Sequence, residues 1–189
     1  MRTRLAVLVF ATAAGAAGAE DAPGLAGTWR LNRELSQDLA GHIKAVAGSA
    51  QMSGGPQTWA TETWLPWKAN FGENERLTVR DFLLAAVPAF ESLEIEQGAD
   101  EVRTVHGEAG SRRFYLTRSS AGTSAISGET VKRQARLQGG QLLLESKGKE
   151  GEFRETFSLD GGRLVYVLHL EQKRLEKPLD ARLVYDRTE

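Results

Sequence analysis

The sequence predicts a mainly antiparallel β-barrel of eight or nine strands with a helical insertion after the first strand. The second half of the 189-residue chain consists of short alternating runs, spaced about ten residues apart, which leaves no room for crossover helices between neighbouring strands. Turns that contain glycine separate these runs. One further alternating segment near the N-terminus raises the strand number to a value that can close a barrel and remove exposed edges.

The first 19 residues have the pattern of a cleavable secretory signal peptide. Arg2 and Arg4 supply the positive charge, residues 5–15 form an apolar core, and the small residues 17–19 form the cleavage site. The apolar core is shorter than the roughly 20 residues that a membrane-spanning helix needs. An uncleaved N-terminal anchor is the alternative, which the cleavage motif disfavours. We expect export to the periplasm or the medium, with residues 20–189 as a single domain.

The composition excludes several classes of site. The chain contains no cysteine, so it has no disulfide, no thiolate nucleophile, no thiolate zinc site and no iron–sulfur cluster. It also lacks the cysteine on which a bacterial lipoprotein carries its lipid anchor. Without the two arginines of the leader, 22 basic residues face 25 acidic ones, a net charge of −3. Such a balance gives no electrostatic attraction to nucleic acid.

The first strand is predicted over residues 25–32, where Trp29 alternates with other apolar residues. Residues 33–88 are interpreted as one helical insertion. A helix is expected over 33–47, because apolar side chains recur there at helical spacing. A Ser/Gly/Pro-rich loop follows, and a second helix over 77–87 is expected to end at Pro88.

Three tryptophans, Trp59, Trp64 and Trp67, lie within this insertion. We expect them to pack the insertion against the barrel. Alternatively, their rings form a lid over the barrel mouth or an exposed surface for a membrane or a partner protein.

The segment 90–187 has the rhythm of an up-and-down meander. Two Gly-Gly turns, at 139–140 and 161–162, follow similar sequences and mark one hairpin repeat. The predicted strands are 91–97, 101–107, 111–118, 129–138, 141–148, 152–159, 163–171 and 181–187.

Gly27-Thr28-Trp29 ahead of a meander whose last strand carries Arg187 resembles the lipocalin (calycin) pattern. With the Gly-Gly turns, the chain is similar to small exported lipocalin-like proteins of bacteria, most of which have no assigned activity. The resemblance covers the first strand and the C-terminal meander, and it does not cover 33–88. It implies that Trp29 closes one end of the barrel and that Arg187 packs across it, with Arg182 as the second candidate.

The sequence holds no established catalytic motif. It lacks G-x-S-x-G, a phosphate-binding glycine loop, H-E-x-x-H and a calcium loop. His42, His106 and His169 show none of the close spacings that indicate a metal site. His169 could bind haem on a late strand of a lipocalin-related barrel, but it falls opposite the more apolar face of its strand. We therefore expect no catalysis, no cofactor and no metal.

Two charged residues fall on otherwise apolar strand faces. Arg133 alternates with aliphatic residues in the run 129–138, and Glu155 alternates with Phe153 and Phe157. If both faces point inward, the charges must pair with each other or meet a polar ligand, because an unpaired buried charge is costly. Alternatively, both reach water at the barrel mouth, or the register differs by one residue.

Arg133 and Glu155 are predicted to form the polar part of a pocket together with Arg112, Tyr115 and Tyr166. The function predicted from the sequence is non-catalytic binding of a small, partly apolar molecule in the barrel, with the insertion as a candidate lid. The alternative is an envelope module that docks a protein partner through the insertion, and an enzyme comes third. A cavity lined by Phe153, Phe157, Tyr166 and Leu168 would favour ligand binding, whereas a filled barrel would favour the interaction module.

Overall fold

The computed structural model describes residues 24–47, 78–107, 110–124 and 129–188. The predicted signal peptide and the three tryptophans Trp59, Trp64 and Trp67 lie outside these ranges. Within them, no helix is both long enough and apolar enough to cross a membrane.

Antiparallel strands form more than half of the described chain, which confirms the predicted fold class with one strand more than expected. The additional strand, β5, was missed because its four residues include no large apolar side chain and Gly122 suggested a turn. The strands are β1 Gly27–Leu31, β2 Ser92–Gln97, β3 Glu101–His106, β4 Ser111–Tyr115, β5 Ser120–Thr123, β6 Thr130–Gln138, β7 Gln141–Lys147, β8 Gly151–Asp160, β9 Arg163–Gln172 and β10 Leu179–Thr188.

All ten strands belong to one sheet in the order β4-β3-β2-β1-β10-β9-β8-β7-β6-β5. Every consecutive pair from β2 to β4 and from β5 to β10 is an antiparallel hairpin pair, and β1 lies between β2 and β10. The end strand β4 approaches β6 across the seam. The sheet is therefore a nearly closed barrel.

In the described parts of the predicted insertion, two short helices follow β1, and both are shorter than expected. Helix α1 spans Leu39–Val46, and helix α2 spans Val79–Ala86. Asp38 caps α1 and Thr78 caps α2. Their side chains accept hydrogen bonds from the backbone N–H groups of Gly41 and Asp81, respectively.

The segment ahead of α1 is not helical because its hydrogen bonds go to the sheet. The N–H of Gln37 donates to the carbonyl of Arg182, and the hydroxyl of Ser36 donates to the carbonyl of Val184. After α2, Pro88 lies within a 3-10 turn, Val87–Glu91, that leads directly into β2.

One part of the barrel interior is filled by large aromatic side chains. Trp29, Phe114, Phe157, Tyr166 and Tyr185 are all fully buried. The rings of Phe157 and Tyr166 stack with centroids 4.8 Å apart, and Tyr185 meets Tyr166 edge-on at 6.4 Å. Toward the helices, open space remains beside this packed region.

Trp29 and Arg187 meet where β1 pairs with β10. The indole N–H of Trp29 donates to the carbonyl of Leu25 at 3.0 Å. The guanidinium of Arg187 donates to the carbonyls of Ala26 and Gly24. Gly27 has a φ of +140°, and a Cβ there would collide with the Arg187 guanidinium, so glycine is required at this position.

Candidate ligand-binding cavity

A cavity lies between the two helices and the barrel, and we call it the cap cavity. Its volume is about 100 Å³, several times the ~10–15 Å³ that one water molecule needs. The helices and the 3-10 turn contribute apolar side chains, and β8 and β9 contribute both apolar and polar residues. The principal apolar residues are Leu39, Ile43, Phe82, Phe90, Phe153, Leu168 and Leu170. Such walls with a few polar groups are typical of sites for small molecules.

Arg112 reaches the cap cavity from β4 and forms a two-pronged ion pair with Glu155 of β8. Its Nη1 lies 2.5 Å from Oε2 of Glu155, and its Nη2 lies 2.6 Å from Oε1. The two side chains are only 1% exposed. They come from strands that are far apart in the sheet, so the pair crosses the barrel interior. Bidentate pairs of this kind are among the strongest protein hydrogen bonds.

Tyr166 and His106 complete what we call the interior cluster, with Arg112 and Glu155. The hydroxyl of Tyr166 donates to Oε1 of Glu155 at 2.8 Å. Nε2 of His106 lies 3.1 Å from Nη2 of Arg112. Because a guanidinium can only donate, Nε2 is assigned as an acceptor, which makes the imidazole neutral with its proton on Nδ1.

The environment of the cluster favours the uncharged forms of its histidine and its tyrosine. Burial, and secondly the positive charge of Arg112, lower the pKa of His106 well below its usual value. Burial, and secondly the negative charge of Glu155, raise the pKa of Tyr166 well above its usual value. The interior cluster therefore contains one positive and one negative charge, and these charges compensate each other.

Strand alternation explains which residues enter the interior. On β4, Arg112 and Phe114 are buried while Ser111 and Arg113 are exposed. Tyr115 falls on the outer side, where the guanidinium of Arg118 lies 4.1 Å from its ring centre. The prediction that Tyr115 joins Arg112 in one pocket is wrong, because residues an odd number of positions apart point to opposite faces.

Arg133 also points inward and lines the cap cavity, with 7% of its surface exposed. Its Nη2 lies 3.5 Å from the carbonyl oxygen of Thr123. Its guanidinium packs over Gly122, where a Cβ would collide with it. The candidate pairing of Arg133 with Glu155 is not found among the ion pairs of the described residues. The guanidinium that pairs with Glu155 is that of Arg112.

His106 is the member of the interior cluster that the sequence analysis missed. Val102, Thr104 and His106 alternate on β3 and are all fully buried. Because only one of these three is a large apolar residue, the inward face of β3 was not recognised.

The predicted lining is found only in part. Phe153 and Leu168 line the cap cavity. Phe157 and Tyr166 instead pack within the filled part of the barrel. The interior thus combines a packed aromatic core with the cap cavity beneath the helices.

A second group of polar residues lies outside the barrel. Glu152, His169 and Glu171 each bring one possible metal-ligand atom within 4.8 Å of the others. These groups already have protein partners, since Lys147 and Arg154 pair with Glu152, and Nδ1 of His169 lies 2.7 Å from Asp180. His169 therefore belongs to a network of polar contacts on the outer face.

No protein-family model and no curated protein sequence matches the chain. A REP1-NXSQ fatty acid transporter is 17% identical with a TM-score of 0.50, and the match covers 87% of this chain and 96% of that one. The wild-type fluorescent protein UnaG is 16% identical with a TM-score of 0.51, over 87% and 97%. Apo lipid binding protein 8 of Caenorhabditis elegans is 13% identical with a TM-score of 0.51, over 86% and 94%. This chain therefore shares the antiparallel barrel fold of fatty-acid-binding and lipocalin-like proteins.

Proposed function

We propose that this chain binds a small, partly apolar molecule in the cap cavity without catalysing a reaction. The cavity itself carries the proposal, because its apolar walls enclose two buried arginines, Arg112 and Arg133. Two proteins of the same fold are named as a fatty acid transporter and a lipid binding protein, which supports the same class of function. Leu39 and Phe82 line the cavity from α1 and α2, which supports a role for the helical segment as its lid.

The interior cluster supports binding rather than catalysis. The carboxylate of Glu155 is engaged by Arg112 and Tyr166, and Nε2 of His106 contacts Arg112. A general base must be able to reach a proton of the substrate. In this cluster, the basic atoms face other protein groups and not the cavity.

We further propose that the protein acts after export, as a single domain over residues 20–189. The leader with its cleavage site after Ala19 supports export, and the absence of cysteine leaves no residue for a lipoprotein anchor. The intact mass of the protein recovered from the periplasm or the medium tests this proposal. An intact mass that matches a chain beginning at Glu20 would support the proposal, and a mass that includes the leader would contradict it.

Ligand binding is tested with the mature protein and a matched pair of tryptophan variants. Nile red, an uncharged apolar dye, serves as the probe. Phe153→Trp enlarges a side chain of the cavity wall, whereas Val167→Trp enlarges a residue of the neighbouring strand that is 41% exposed on the outer face. We expect Phe153→Trp to weaken dye binding by about tenfold or more and Val167→Trp to leave it unchanged.

Native mass spectrometry of protein purified from its own compartment gives an independent readout. A bound small molecule that is lost in Phe153→Trp would support the carrier function. A chain that carries no small molecule, together with equal dye binding by both tryptophan variants, would refute it.

A further inference from the structure

We propose that the cap cavity selects uncharged ligands, such as alcohols and esters, over carboxylates, because Glu155 already occupies Arg112. This inference rests on the proposed function and specifies the ligand class. It runs against the simplest expectation for a buried arginine in a cavity wall, which is that it binds the carboxylate of a ligand.

The geometry of the ion pair carries the inference. A guanidinium binds a carboxylate most strongly through two parallel N–H groups. In Arg112, Nη1 and Nη2 each already donate to a different oxygen of Glu155, at 2.5 and 2.6 Å. Glu155 is part of the same chain, so it competes with a free carboxylate at a high effective concentration. The hydroxyl proton of Tyr166 is directed at Glu155 as well.

The charge balance at Arg112 acts in the same direction. The guanidinium of Arg112 is neutralised by the carboxylate of Glu155, which is equally buried. The carboxylates of Glu152 and Glu171 do not enter this balance, because Glu152 pairs with two basic side chains and the side chain of Glu171 is 64% exposed. A ligand carboxylate placed against the Arg112–Glu155 pair would therefore lose its hydration beside a pair without net charge.

An uncharged ligand does not have to give up the hydration of a charged group. A hydroxyl or ester group requires hydrogen bonds but no counter-charge, and its alkyl chain can contact the apolar wall formed by Phe90, Phe153, Leu168 and Leu170. Phe90 also packs against His106 and Tyr166, with ring centroids 5.3 and 6.1 Å away. It thereby screens part of the interior cluster from the cavity.

Three probes of equal carbon number test the selectivity: octan-1-ol, methyl heptanoate and octanoate. Their affinities for the mature protein are measured at pH 7.5 by displacement of Nile red. We expect octanoate to bind about tenfold more weakly than octan-1-ol, or worse. Octanoate binding as tightly as the alcohol, or more tightly, would overturn the inference. Dye binding without displacement by any probe would instead contradict the proposed function.

The variant Glu155→Gln tests the cause. It removes the negative charge while keeping the shape of the side chain, so Arg112 becomes available to a ligand carboxylate. We expect the affinity for octanoate, relative to that for octan-1-ol, to rise by about tenfold. Glu145→Gln is the matched control, because Glu145 is a carboxylate on the outer face of β7 that pairs with Arg136 and Arg154. An equal change in both variants would contradict the assigned role of Glu155.

Arg133 provides the opposing test, since it is the other guanidinium in the cavity wall. If the wild-type protein prefers octanoate and Arg133→Met abolishes that preference, Arg133 is the carboxylate site and the inference is wrong. The order of affinities in the wild-type protein decides the question even if Glu155→Gln does not fold.

Discussion

The guanidinium of Arg187 lies 4.2 Å from the ring centre of Trp29, and these two residues face each other in the pairing of β10 with β1. The same guanidinium donates to the backbone just before β1. One side chain of the last strand thus covers the tryptophan and holds the segment that precedes it.

Replacing Trp29 with alanine should cost about 3–5 kcal/mol of unfolding free energy, because the ring is fully buried. Arg187→Met should cost less, about 1–3 kcal/mol, since it removes a cation–π contact and two hydrogen bonds. Urea denaturation measures both losses. Arg182→Met is the control, because this second candidate arginine is exposed, and its loss should stay within about 0.5 kcal/mol. Equal losses for the two arginine variants would contradict the special role of Arg187.

Two buried tyrosines form a natural comparison. Tyr166 donates its hydroxyl to Glu155, whereas the buried hydroxyl of Tyr185 has no hydrogen-bond partner among the described residues. Tyr166→Phe should cost about 1.5–3 kcal/mol, because it removes a hydrogen bond to a charged group. Tyr185→Phe should be neutral or stabilising, since it removes an unsatisfied polar atom. Thermal and urea unfolding of the two variants check this difference, and a larger loss in Tyr185→Phe would contradict it.

The Arg112–Glu155 pair should show strong coupling in a double-mutant cycle. Arg112→Met or Glu155→Leu alone should cost about 3–5 kcal/mol, because each leaves the other charge buried without its partner. The double variant should cost much less than the sum, since two apolar side chains replace the pair. Additive losses in the urea midpoints would show that the two side chains do not act as a unit.

His106 should make the protein less stable in mild acid. Its pKa is lowered by burial and by Arg112, so the unfolded chain takes up a proton below about pH 6.5 that the folded chain does not bind. Above this pH, the imidazole is neutral in both states, and its protonation costs the folded protein no stability. Below it, stability falls by up to about 1.4 kcal/mol per pH unit until the pH reaches the folded-state pKa. The His106→Gln variant should show a shallower slope between pH 6 and 5 in urea denaturation. Parallel slopes for the two proteins would refute this prediction.

Local sequence patterns predicted nine of the ten described strands and placed Glu155 on an otherwise apolar strand face, with its inward direction left open. Period-two alternation depends only on the residues of one strand, and Glu155 shares its face with Phe157, which is buried as expected. The same reasoning placed Arg133 on an otherwise apolar face, which the structure turns inward. It failed at Tyr115, where grouping by residue type overrode the alternation.

The partner of Glu155 could not be predicted in this way. Arg112 lies on the end strand β4, which is not hydrogen-bonded to β8, so their meeting depends on how far the whole sheet curves. No local pattern reports that curvature. The shortened helix α1 has a similar origin, because the hydrogen bonds of Ser36 and Gln37 to β10 involve residues at the other end of the chain.

The placement of β1 beside β10 ties completion of the barrel to the synthesis of β10. Until Leu179–Thr188 has left the ribosome, β1 and β9 each retain an unpaired edge, and Trp29 lacks the side chain that covers it. A nascent or truncated chain without Leu179–Thr188 is an open sheet, and its edges can pair with other chains. Strand β10 therefore protects the nine described strands made before it from aggregation.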